Sequence, residues 1–204
     1  MNECENNSLS EYNSSLSAQS IFRETMNAFA HPLCLYNIKE AASKNPLTQG
    51  DKSIIKELCS IFLDNCVSFY VHNDAQLSVD LKELTYAIPC EIEYADFVVI
   101  ENPDEFDKWE DIAQGSLVDP HLGATVIICV PQVAGDASLT AGGPGIDGEK
   151  TFMLSRMVAE CISKAREVYT EYPKGFELLF VSPDGDICAL GRHIRITAAN
   201  KGVS

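Results

Sequence analysis

Few side chains in this sequence could do chemistry, and the most suggestive run carries almost none. In Ala141-Gly142-Gly143-Pro144-Gly145, the backbone N–H groups of Gly142, Gly143 and Gly145 could cradle a phosphate or phosphonate beside a helix N-terminus. The same run also suits a tight connection between a strand and a helix. It is not a P-loop, since Lys150 follows Gly145 by five residues with no Gly-Lys-Ser/Thr ending, and the spacing of a dinucleotide fingerprint is absent. Arg23 follows the apolar Phe22 and borders a helical stripe. An arginine there pairs with a buried carboxylate, crosses an interface or meets a ligand. Arg192 and Arg195 flank His193 in the C-terminal segment, either as a solvated strand face or as an anion site.

No catalytic set accompanies these candidates. His31, His72, His121 and His193 never fall in a ligand-pair spacing, so no metal site is assigned. There is no Gly-x-Ser-x-Gly elbow, and no cysteine has the local signature of a nucleophile. The acidic run Glu101–Asp111 predicts the wet face of a helix, with Phe106 and Trp109 as core anchors. No catalytic residue and no cofactor is therefore assigned.

Eight cysteines include no Cys-x-x-Cys, and most lie in apolar stretches such as Ile127-Ile128-Cys129-Val130. They are expected to be reduced thiols packed as small hydrophobes. The net charge of −15 argues against nucleic acid, which needs a basic footprint, and against an anionic membrane surface. No apolar run reaches the roughly 18–20 residues that span a bilayer, and the polar start lacks the features of a secretory signal. A cytoplasmic protein is the expectation.

These residues must be held by a succession of helices and strands. Residues 1–16 lack periodicity and predict a flexible polar tail; residues 17–204 predict a single domain. Ser17 is a candidate cap for a helix to Ala30, with Ala18, Phe22, Met26 and Phe29 or Ala30 on its apolar face, ended by His31-Pro32. A short strand is expected at 33–36. Asp51 is a candidate cap for a helix carrying Ile54, Leu58, Ile61 and Phe62. Strands follow at 67–71 and 95–100, with a helix near 77–84 between them and another from Pro103 to Gln114. Ala124–Val130 is apolar without alternation, as in a strand covered on both faces. Thr151–Tyr169 predicts the longest helix. Phe176–Val181 and Ile187–Leu190 flank Pro183-Asp184-Gly185, a hairpin turn, and a last strand is expected at 193–197. This alternation predicts an α/β layered domain with a mixed sheet.

Five ordered segments resemble one family. They are Gln19, Phe22, Arg23, Met26, Ala28 and Pro32; Gly123-Ala124-Thr125-Val126; Leu139 through Ile146; Tyr172-Pro173-Lys174-Gly175-Phe176-Glu177; and Leu190-Gly191-Arg192-His193. In order and spacing the body from Gln19 to Ile196 is similar to the PhnH family of the carbon–phosphorus lyase system. Gly191 stands where that family has proline, and Glu177 where aspartate is common. The resemblance implies a three-layer sandwich similar to the large domain of pyridoxal-phosphate-dependent transferases, without the cofactor lysine. It implies a non-catalytic partner of PhnG, PhnI and PhnJ in forming α-D-ribose 1-methylphosphonate 5-triphosphate from ATP and an alkylphosphonate, and a homodimer. The alternative is a free-standing phosphonate- or nucleotide-binding domain, or a divergent enzyme, using the 142–146 loop with Arg23 or Arg192.

Overall fold

A computed structural model describes residues 3–45, 48, 50, 52–169 and 171–200. The chain opens with helix α1 (Glu3–Ala30), strand β1 (Tyr36–Asn37) and the short helix α2 (Lys39–Ala42). Next come α3 (Ser53–Phe62), β2 (Ser68–His72), α4 (Ala75–Thr85), β3 (Ile88–Pro89), β4 (Phe97–Ile100) and β5 (Thr125–Cys129). The remainder is β6 (Ala137–Gly143), β7 (Ile146–Leu154), α5 (Arg156–Val168), β8 (Glu177–Val181), β9 (Asp186–Leu190) and β10 (Arg195–Asn200).

Seven strands form a mixed sheet in the order β1-β9-β8-β5-β4-β2-β3. From β8 to β3 the neighbours are parallel, while β9 and β1 add antiparallel pairs. Alternate side chains of each central strand enter opposite cores. Val99, Ile127 and Leu179 meet Ile21 and Ala28 of α1, Leu58 of α3 and Leu81 of α4. Val98, Val126, Leu178 and Phe180 meet Val158 and Ile162 of α5, together with Phe106, Trp109, Leu139 and Phe152. Covering on both faces explains why Val126-Ile127-Ile128 shows no polar alternation, and each such buried aliphatic side chain contributes about 2 kcal/mol. The domain is thus α/β, with a mixed sheet between helical layers.

The remaining strands, β10-β6-β7, make a small antiparallel sheet. Its apolar side chains, including Leu139, Ala141, Phe152 and Leu154, join the same core as α5.

Several expected elements change. Helix α1 starts at Glu3, so residues 3–16 of the segment expected as a tail form its first half, and Ser17 lies inside the helix, donating its hydroxyl to the Ala41 carbonyl. Its buried face carries Ser17, Ile21, Thr25 and Ala28, whereas Phe22 and Met26 are exposed. The expected stripe is therefore rotated by one residue.

Asp51 lies outside the described residues, and α3 begins after Lys52 in a left-handed conformation. Leu33 also has φ of +63°, which delays the first strand to Tyr36.

No helix forms at 103–114; turns and one 3-10 turn at Trp109–Asp111 replace it. Phe106, Trp109 and Ile112 recur every three residues and are all buried. Like charges at Asp104, Asp107, Glu110 and Asp111 would repel across successive helical turns.

The expected long helix from Thr151 begins instead at Arg156. Phe152 and Leu154 alternate inward against exposed Thr151 and Met153, completing a strand. The C-terminal strand begins at Arg195 and pairs with β6 rather than joining the large sheet. The hairpin around Pro183-Asp184-Gly185 forms as expected, with the Ser182 N–H donating to Asp186 O at 2.9 Å. Cys34, Cys59, Cys66, Cys90, Cys129, Cys161 and Cys188 are free thiols.

Candidate functional site

The connections place a crevice between β2 and β4. The link from β2 to β3 runs through α4, whose Leu77 and Leu81 join the α1-side core. The links from β4 to β5 and from β5 to β8 run over the other face, through Phe106, Trp109 and then α5. Right-handed crossovers moving outward in opposite directions require opposite faces. Adjacent β2 and β4 therefore send their chains apart, and such a switch point opens a ligand crevice at the carboxyl ends of parallel strands.

Beside this switch point, a cleft of about 590 Å³ opens at the carboxyl ends of β4, β5 and β8. Its walls are Lys52–Ile55 at the start of α3, Glu101–Asp104 after β4, Cys129–Pro131 after β5, Val181–Pro183 after β8, and Met157 of α5.

Lys52 dominates its polar wall. The Lys52 ammonium donates to Asp74 Oδ2 and Glu101 Oε2, joining the first residues after β2 to those after β4. Burial works against each charge here. Even so, the two carboxylates raise the lysine's proton affinity above its ordinary value. For Asp74, burial is outweighed by the Leu77 N–H, at 2.9 Å, and by Lys52, which bring its pKa to about 2. Burial and the neighbouring Asp74 carboxylate instead raise Glu101. The cluster thus combines a firmly ionised aspartate, a committed ammonium and a glutamate that holds its proton more tightly than usual.

Other groups near this end are not poised for covalent chemistry. Burial, with Glu101 alongside, pushes the Cys129 thiol up to about 12, so it is not a ready thiolate nucleophile. His72, the last residue of β2, is 5% exposed, and neither ring nitrogen has a hydrogen-bond partner. Its ring instead meets Phe106 edge-on at 4.9 Å. Among the described residues, no group of three or more His, Cys, Asp or Glu side chains could hold a metal ion.

The residues singled out in sequence occupy another part of the molecule. Gly142 belongs to β6, and Gly143 and Gly145 flank the β6–β7 hairpin turn rather than a helix N-terminus. The helix cap is Ser155, nine residues after Ile146; its Oγ accepts the Val158 N–H at 3.3 Å. Gly145, at φ +85°, packs so closely that a Cβ would lie 2.4 Å from Ala30 O and 2.8 Å from Pro32 Cδ. The hairpin tip therefore docks on the carboxyl end of α1. The segments at 19–32 and 139–146 do meet, with Gly145 packed on the Ala30 carbonyl and the Pro32 ring.

Arg23 is exposed on α1, seven residues before Ala30 and hence about 10 Å back along the axis. Arg192 is tied down elsewhere. Its Nε lies 3.1 Å from Glu177 Oε1, and its Nη1 donates to Gly175 O at 3.2 Å and to Pro120 O. Its own carbonyl accepts from Arg166 Nη1 at 2.9 Å. This arginine clamps the 114–123 loop to the start of β8, and an incoming anion would compete with Glu177.

Lys52, Asp74 and Glu101 were not recoverable from spacing, because the three are brought together only by strand order. One local signal existed: each acidic residue comes within two residues of the end of an apolar strand-like run, Glu101 directly after Ile100 and Asp74 two residues after His72.

Among the described residues, no helix is long and apolar enough to cross a membrane. Residues 12–197 match the family described as bacterial phosphonate metabolism protein (PhnH). The chain is also similar to a "Putative C-P lyase subunit protein HtxG" of Stutzerimonas stutzeri, with 26% identity over 184 residues covering 89% of this chain and 88% of that one. The chain belongs to the PhnH family.

Proposed function

We propose that the chain is a non-catalytic subunit of a carbon–phosphorus lyase assembly. In this reading it acts with PhnG-, PhnI- and PhnJ-like subunits in the cytoplasm and forms a homodimer. It supports formation of α-D-ribose 1-methylphosphonate 5-triphosphate from ATP and an alkylphosphonate. The observation that carries the reading is family membership over residues 12–197, joined to the end-to-end likeness to a protein described as a putative C–P lyase subunit.

The surface is compatible with assembly. Leu16, Phe22 and Met26 of α1 are exposed, as are Leu117, Val118 and Leu122 in the loop after Gln114. Apolar side chains gathered at a surface favour contact with another protein. The expected likeness to pyridoxal-phosphate-dependent transferases, without their cofactor chemistry, is also part of this proposal. Lys52 at the carboxyl ends of the strands has its proton held by two carboxylates, the opposite of the depressed pKa that a Schiff-base lysine needs.

Co-expression with PhnG-, PhnI- and PhnJ-like proteins, followed by size-exclusion chromatography, tests the assembly. The chain is expected to co-elute with them. Elution alone under every condition overturns the reading.

A further inference from the structure

We propose that the cleft at the carboxyl ends of β4, β5 and β8 binds a small organic molecule with an apolar body and one ammonium head, seated against Glu101 and Asp104. The position follows the topology: the cleft opens at the carboxyl ends of three parallel strands, β4, β5 and β8, beside the point where β2 and β4 send their connections to opposite faces of the sheet. Its volume, about 590 Å³, is that of a small-molecule site.

The chemistry of the occupant follows from charge balance. Lys52 offsets one of the two carboxylates it bridges, so the triad with Asp74 and Glu101 retains one negative charge. Asp104 adds another on the same wall, and Lys52 is the one cation among the lining residues described. An anion entering here meets two carboxylates and a lysine already committed to both Asp74 and Glu101. An ammonium head meets uncompensated negative charge, at a place where partial burial strengthens the attraction.

A metal ion does not fit the same charge, since no group of three or more ligating side chains gathers among the described residues. The apolar part of the lining selects the rest of the ligand. Ile54, Val130, Pro131, Met157 and Pro183 offer apolar surface to a hydrocarbon or aromatic body. The site is separate from the β6–β7 hairpin, whose tip is filled by Ala30 and Pro32.

This inference does not depend on the assembly reading and is tested on the isolated full-length chain. Three probes share one body and differ in head: benzylamine, benzyl alcohol and benzoate. Inorganic phosphate serves as a bare anion. Amide NMR spectra are recorded with each at millimolar concentration.

Benzylamine is expected to shift the amides of 53–55, 102, 104 and 181–182 as one saturable set, with benzyl alcohol weaker and benzoate and phosphate silent there. Asp104→Asn, which leaves the Lys52 triad intact, should weaken benzylamine about threefold or more, the scale of one partly screened charge. Glu101→Gln should weaken it further; if that variant fails to fold, Asp104→Asn carries the test. The proposal is overturned if benzoate or phosphate shifts these amides as readily as benzylamine. Benzylamine shifts scattered over the acidic surface, unchanged affinity in Asp104→Asn, or no shift at all would also overturn it.

Discussion

At the scale of single residues, Asp74 performs two tasks with one carboxylate. Oδ1 accepts the Leu77 N–H that opens α4, and Oδ2 accepts the Lys52 ammonium. Because its folded pKa is lowered from 3.8 to about 2, its contribution is present above about pH 4 and is lost as pH falls toward 2. That difference corresponds to about 2 kcal/mol. Glu101 has the opposite sign: its raised value makes its ionised form a cost once pH exceeds the ordinary carboxylate range. Asp74→Asn keeps a capping oxygen but loses the charge. Denaturant unfolding across pH should show a loss of about 2 kcal/mol at neutral pH and a flattened acid limb between pH 4 and 2. An unchanged acid limb would refute that assignment. Gly145 carries a different constraint, since its left-handed backbone and close contact with Ala30 leave no room for a side chain. Gly145→Ala should cost about 2 kcal/mol or more, whereas Gly148→Ala, with open space around it, should cost only the strain of its positive φ. Thermal unfolding of the two variants compares them directly.

At the scale of elements, helix α1 shows where periodicity alone misleads. Phe22 and Met26 fit a four-residue repeat as well as Ile21 and Thr25 do, yet the second pair faces the sheet. Thr25 is tolerated inside because its hydroxyl donates to Ile21 O at 2.9 Å, satisfying the polar group within the helix. Ile21→Ala should therefore cost about 2–4 kcal/mol through an unfilled cavity. Met26→Ala should cost less than about 0.5 kcal/mol, as surface changes do. Equal losses in a denaturant titration would return the buried stripe to Phe22 and Met26. The same ambiguity affected 151–154: Phe152 and Leu154 belong to a strand that ends one residue before the α5 cap. A helix and a strand of this length share too few apolar positions to be told apart until pairing with β6 selects the extended form.

At the scale of the whole molecule, the exposed loop after Gln114 is held rather than loose. A bridge joins Gln114 to Gly123, the Ser116 N–H donates to Asp119 O at 3.1 Å, and Arg192 grips Pro120 O. Val118 at its tip is 86% exposed, and a preformed apolar tip can dock with little further ordering cost. Val118→Asp should leave the thermal midpoint of the isolated chain unchanged but reduce co-elution with the partner subunits; retention of full co-elution removes this loop from the partner surface. The sequence by itself determined the family, the α/β class, the buried central strand at 124–130 and the hairpin at 182–186. Those follow from short-range patterns: uninterrupted β-branched residues demand cover on both faces, and Pro-Asp-Gly imposes a turn. Only the tertiary structure decided the site. Lys52, Asp74 and Glu101 are separated by 22 and 27 residues, and no local propensity relates them. They meet because the strand order places β4 beside β2, while the intervening chain runs out through α4 to the edge strand β3 and back. The glycines and Arg192 moved in the opposite direction, from candidate ligands to packing and clamping roles, because a backbone contact with Ala30 and an ion pair with Glu177 exist only once the chain has folded.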